Sequence, residues 1–130
     1  MGKTLLKYLR SIMSVVLGYF VIVVCTVVGF KPLGGIVHLN APLRIQAAGT
    51  LVAIISGLLG GMTAALVAAR YPVRHAAAVL IFLVLDTAVV FSRGSPDPVW
   101  FDLSAAVTLM LATVCGGLLY RVLTHRHRLA

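Results

Sequence analysis

Glutamate is absent from this 130-residue chain, and three aspartates, Asp86, Asp97 and Asp102, are its only acids. That scarcity removes most acid–base chemistry, because carboxylate pairs and His–carboxylate sets have almost nothing to draw on. Charged residues of any kind make up 11% of the chain, against the roughly 25% that a water-facing domain carries. A chain this poor in charge cannot cover a soluble surface. With 61% hydrophobic residues and a mean hydropathy of +1.07, it belongs to the membrane class.

Cysteine is also scarce. Cys25 and Cys115 fall inside apolar runs, in opposite halves of the bilayer and about 15 Å apart in depth at ~1.5 Å per residue. A disulfide needs Cα atoms within about 7 Å, so both are read as packing residues. Metal-ligand spacing is missing too: His38 stands alone, and His125 and His127, with His75 on the same side, have no Cys or carboxylate beside them. No phosphate-binding loop and no Ser/His/Asp or Cys/His set occurs on one side of the membrane. The expectation is a protein that is not an enzyme and has no cofactor, metal site or catalytic residue.

What the chain does have is apolar length and small residues. Four runs, 11–30, 47–69, 75–92 and 99–120, are long enough to cross about 30 Å of hydrocarbon as helices. The expected fold is therefore all-α, a four-transmembrane-helix bundle in one domain. The run after Lys3, Lys7 and Arg10 is too long for a signal-peptide core and lacks an A-x-A cleavage pattern, so it reads as an anchor. Leu6 stands where N-myristoylation at Gly2 would want Ser or Thr.

The second run carries two rows at every fourth position. One is Gly49, Ala53, Gly57, Gly61, Ala65 and Ala69; the other is Ser56, Gly60, Ala64 and Ala68. Small residues at this spacing let another helix approach closely. A fourth-residue row drifts about 40° per step around a 3.6-residue helix, so one straight partner cannot follow all of it. The rows predict a crossing at Gly57, Gly60 and Gly61 with different neighbours at the two ends. The short turn at Arg70-Tyr71-Pro72 makes span three one neighbour. The strip Ser14, Gly18, Cys25 and Gly29 makes span one the second. Span four has a row of its own, Ser104, Thr108, Ala112 and Gly116, and a Gly116-Gly117 pair that echoes Gly60-Gly61. Packing inside one chain can use up the stripe, which favours a compact bundle over an oligomer.

Charge sets orientation. Lys3, Lys7, Arg10, Arg70, Arg74, Arg121, Arg126 and Arg128 fall on one side, and Lys31, Arg44 and Arg93 on the other, which places both termini in the cytoplasm. A net charge of +8 raises nucleic acid as a partner. No basic stripe lies on a soluble surface, so the bases are read as topology anchors that meet anionic lipid. At the opposite end, Asp97 and Pro98 are expected to start span four as N-cap and first helical residue, with Asp102 favoured by the helix dipole.

Asp86 is the one ionisable residue well within a span, about 9 Å below the interface. An acid at that depth costs a few kcal/mol unless it is protonated, paired or hydrated. Two readings follow. Asp86 is a structural acid held by Arg93, Arg44, Ser104 or Thr108, or it is a proton or cation site in a transport path. The first suits a structural or accessory component acting by helix packing with itself or a larger membrane protein; the second suits a small oligomeric transporter or channel.

Leu17-Gly18-Tyr19 near the basic start, Gly60-Gly61, and Ala68-Ala69-Arg70 at the close of span two give the chain a resemblance. It resembles short uncharacterised bacterial four-span integral membrane proteins. The resemblance implies a multi-pass protein of the bacterial cytoplasmic membrane and no particular activity.

Overall fold

The computed structural model describes residues 2–68 and 70–126. Ala69 of the first small-residue row, and His127 and Arg128 of the basic tail, lie outside the described residues. The chain is all-helical. Helices α1 (Gly2–Phe30), α2 (Leu43–Val67), α3 (Pro72–Arg93) and α4 (Val99–Arg126) are each long and apolar enough to cross a membrane.

The helices run past most of the expected spans, and their ends have local reasons. Helix α1 begins at Gly2 rather than Ser11, because nothing in the basic first turns interrupts the helix. It ends in a 3₁₀ turn, Lys31–Leu33, where Pro32 removes a backbone donor and Gly34, at φ 90°, turns the chain away. Helix α2 starts early, at Leu43, with the Pro42 carbonyl accepting from the N–H groups of Ile45 and Gln46. It ends at Val67, short of Pro72. There the Val67 carbonyl accepts a 2.7 Å hydrogen bond from Arg10 Nε, which satisfies one of the open groups of that helix end. Pro72 opens α3 instead of closing α2, after Tyr71 has turned the chain in the left-handed region at φ 54°. Helix α4 continues through the basic segment to Arg126, which has no Gly or Pro to stop it.

Helix α2 is the centre of the bundle and packs most extensively on α4 and on α1. Its buried residues, Gly49, Ala53, Ser56, Gly57, Gly60, Gly61, Ala64 and Ala65, are all members of the two small-residue rows. The rows serve different neighbours. From the first, a Cβ at Gly57 would meet Ala112 Cβ and the Leu109 carbonyl oxygen, both at 2.7 Å. A Cβ at Gly61 would press on the Thr113 carbonyl and stand 3.2 Å from the Gly117 nitrogen. From the second row, a Cβ at Gly60 would strike Ile22 and approach the Gly18 carbonyl to 2.7 Å. Gly18 in turn lies against Ala64 and Gly60, as the expected strip on span one requires.

The crossing at Gly57, Gly60 and Gly61 is therefore present, but the fuller neighbour is α4 rather than α3. Helices α2 and α4 run parallel, and Gly116 presses on the backbone of Leu58 so that the two Gly-Gly pairs share one contact. Helix α3 closes the side, with Ala76 against Gly117 and with Val79 and Leu83 joining Ile22 and Ala64 in the buried core. Both cysteines are free.

This packing predicts unequal costs for adding one methyl group. Gly61→Ala meets rigid backbone and should lower stability by about 3 kcal/mol, whereas Gly29→Ala meets only the Val52 side chain and should cost about 1 kcal/mol. Unfolding in mixed micelles by titration with sodium dodecyl sulfate measures both.

Candidate functional site

Close packing is concentrated toward the end of the bundle that carries the α2–α3 turn. Toward the other end, where α1 and α3 finish and α2 and α4 begin, the helices leave an open cleft of about 780 Å³. Helix α1 contributes Thr26, Val27 and Phe30 to its wall, and α3 contributes Leu83, Asp86 and Thr87. From α2 come Gly49 and Ala53, and from α4 Phe101, Asp102 and Ala105. The α1–α2 connection covers it through Gly35, Ile36 and Val37, with Val37 seated on Gly49.

Asp86 stands on this wall with its side chain exposed, not buried among the helices. The expected arginine partners are not used. Asp86 Oδ2 accepts a 2.5 Å hydrogen bond from the Tyr19 hydroxyl. Among the described residues the one contact within ion-pair distance is His38–Asp97, so neither Arg93 nor Arg44 holds Asp86. Ser104 and Thr108 spend their hydroxyls on carbonyls of their own helix, those of Phe101 and Ser104. Tyr19 is aimed by packing: its ring stacks on Phe82 at 5.1 Å, and Phe82 precedes Asp86 by one helical turn. A short O–H···O bond to a carboxylate is a strong one, and here it joins α1 to α3.

Asp102 shares the cleft. It lies in the first turn of α4, as the dipole argument expects, but its Oδ2 is buried and has no hydrogen-bond partner among the described residues. Buried acceptors are rarely left unpaired, and no described protein group satisfies this one. The dipole argument alone therefore does not account for Asp102, which belongs with Asp86 as a second acid of the cleft.

Asp97 does a different job from the one its Asp-Pro context suggests. Pro98, not Asp97, supplies the carbonyl that begins α4, accepting from the N–H groups of Phe101 and Asp102. The Asp97 carboxylate reaches across to the α1–α2 connection. Its Oδ1 accepts from the Leu39 N–H at 2.9 Å, and its Oδ2 accepts from His38 Nδ1–H at 2.7 Å. The carboxylate is acceptor-only when ionised, so it selects the His38 tautomer protonated at Nδ1. Gln46 Nε2 secures the same segment by donating to the carbonyls of Leu39 (2.6 Å) and Ala41 (2.9 Å). The cover of the cleft is thus tied to both α2 and the α3–α4 connection.

Three signals carry what the pattern of spans did not. Tyr19 places a hydroxyl in the middle of an apolar run, where it needs an acceptor. Asp102 puts a second acid inside span four, in its first turn. Asp97 and His38 are complementary groups in two connections at the same end. Among the described residues, no group of three or more His, Cys, Asp or Glu is placed to hold a metal ion. No protein-family model, curated protein or solved structure matches this chain, so the geometry alone carries the functional reading.

The clasp has a pH signature. The Leu39 N–H and then His38 hold the Asp97 carboxyl below its ordinary value of 3.8. A depressed carboxylate stabilises the fold above its unfolded pKa, and that contribution is lost as pH falls through the lower folded value. Amide exchange at Leu39 should stay protected above about pH 4 and lose protection below it, and Asp97→Ala should abolish the protection at every pH.

Proposed function

We propose that this chain is a multi-pass protein of the bacterial cytoplasmic membrane, with both termini cytoplasmic, that handles protons or monovalent cations at Asp86 as a small transporter or channel. The observation that carries this reading is the Tyr19–Asp86 hydrogen bond on the wall of a cleft open at one end of the bundle. An intramembrane acid that faces a cavity and is held by a neutral donor keeps its charge available. Such acids mark ion and proton paths. The excess of Lys and Arg on the side of the termini supports the orientation, and puts the cleft on the outer face.

The structural or accessory reading draws on another observation. The small residues Gly18, Gly57, Gly60, Gly61 and Gly116 are all engaged within the chain. A partner helix, or a second copy, would meet larger apolar side chains such as Phe20, Val24, Ile81 and Leu85, which are exposed. Those faces suit lipid equally well.

In proteoliposomes, wild-type protein should dissipate an imposed proton or monovalent-cation gradient. Asp86→Asn should cut that flux at least tenfold, and Tyr19→Phe should cut it less. Equal flux from wild type and Asp86→Asn, with both inserted, would sink the transport reading and leave the accessory one. Alkaline phosphatase inserted in the Gly94–Pro98 connection should be active, and the same enzyme fused after Ala130 inactive; the reverse pattern would overturn the orientation.

A further inference from the structure

The cleft is far larger than its proposed task requires. A proton needs a carboxylate and a path, and a bare metal ion needs a compact shell of oxygens, commonly six or more for hard cations. Here a volume of about 780 Å³ sits within the usual range for small-molecule sites. Its walls are dominated by apolar side chains, among them Val27, Phe30, Phe91, Phe101, Leu109 and Met110. Charged groups are few and placed on facing elements: Asp86 on α3, Asp102 on α4 and Lys31 in the 3₁₀ turn after α1. Two carboxylates against one ammonium leave one negative charge uncompensated among the described lining residues. The two acids differ in what they lack. Asp86 already has a donor on Oδ2, from Tyr19, whereas Asp102 Oδ2 is buried with none.

We infer that the cleft binds an amphiphilic organic monocation that carries an N–H donor, a protonated amine on an apolar body. In this arrangement the Asp102 carboxylate turns about its Cβ–Cγ bond to bring the buried Oδ2 to the cleft, the ammonium donates to it, and the body lies against the aromatic and aliphatic wall. The inference deepens the reading of Asp86 as a cation site and rests on it for the part that Asp86 plays. Each property of the ligand answers one feature of the site. The single positive charge matches the net charge of the lining, the N–H matches the unpaired acceptor, and the apolar body matches the volume and character of the walls. An apolar ligand without charge would leave Asp102 unpaired, and burying an unpaired carboxylate is costly. A quaternary ammonium would supply the charge but no hydrogen.

The chain carries its own reporter. Trp100 is the only tryptophan, and its ring packs edge-on against Phe101, a wall residue, at 5.8 Å. The test is titration of detergent-solubilised full-length protein with 4-phenylbutylamine, its N,N,N-trimethyl derivative and 4-phenylbutanol, read by calorimetry and Trp100 fluorescence. The amine should bind at least tenfold more tightly than the alcohol and more tightly than the trimethyl derivative. Asp102→Asn should weaken the amine at least tenfold and leave the alcohol unchanged. Ala105→Phe keeps all three acids but fills the cleft, and should abolish amine binding while the unfolding midpoint stays near that of wild type.

Equal affinity for amine and alcohol would show an apolar slot that takes lipid-like molecules, and would overturn the inference. Unchanged amine affinity in either Asp102→Asn or Ala105→Phe would overturn it as well. The two readings fail separately. Flux lost in Asp86→Asn, with amine affinity indifferent to Asp102, removes the amine site and leaves ion handling. Amine binding that follows Asp102, with flux indifferent to Asp86, supports the amine site and removes transport.

Discussion

Everything in this bundle depends on how closely α2 can approach its neighbours' backbones. Between helices in lipid there is little hydrophobic drive, because the tails are as apolar as the side chains they replace. Association then rests on van der Waals contact, which falls off within fractions of an ångström. Gly57 and Gly61 let α4 lie against α2, and Gly60 with Gly18 does the same for α1. The three helices are thereby fixed, and α3 fills the remaining side through Ala76, Val79 and Leu83. The polar contacts between helices are a few single bonds, such as Arg10 to Val67 and Tyr19 to Asp86.

The same constraint explains why the molecule is tight at one end and open at the other. Small residues on α2 from Ser56 to Ala65 meet small residues on α4 from Ala112 to Gly117 and the Ser14–Ile22 stretch of α1. Toward the other end α2 lines the cleft with Gln46, Gly49, Thr50 and Ala53, and the facing helices carry Phe30, Phe91 and Phe101. Bulky rings hold the helices apart there, and the cleft is the space they leave. The acids all belong to that end, and their tasks divide. Asp97 fastens the cover, Asp86 joins α1 to α3 through Tyr19, and Asp102 keeps a buried acceptor without a donor among the described residues. A chain with only three acids thus has one structural acid in the connections and two acids facing the cleft.

Much of this was legible in the sequence because apolar length and fourth-residue spacing are properties of a single helix. The four spans, the two rows on α2 and the crossing at Gly57, Gly60 and Gly61 follow from them directly. What was not legible needed knowledge of which helices are neighbours. The parallel contact of α4 with α2 left no mark on either helix beyond small residues, which do not specify their partner. Tyr19 could be known as the partner of Asp86 only once α1 was seen beside α3. Charge pointed to Arg93 and Arg44 instead, since opposite charges attract at long range and a hydroxyl does not. Asp97 misled for a similar reason: Asp-Pro is a helix-start signal, and the competing bonds to Leu39 and His38 come from a segment far away in the chain. Pro72, in the short turn between spans two and three, opens α3, since proline suits the first helical position.

The account's central claim is that small residues on α2 set the helix–helix spacing within one chain. A double-mutant cycle between Gly18 on α1 and Ala64 on α2 tests it most directly, since a Cβ at Gly18 would stand 2.7 Å from Ala64 Cβ. Unfolding free energies would be measured for wild type, Gly18→Ala, Ala64→Gly and the pair. The account predicts that Ala64→Gly recovers part of the loss caused by Gly18→Ala, with a coupling of about 1 kcal/mol. Simple additivity of the two changes would mean that these residues do not touch, and would contradict it.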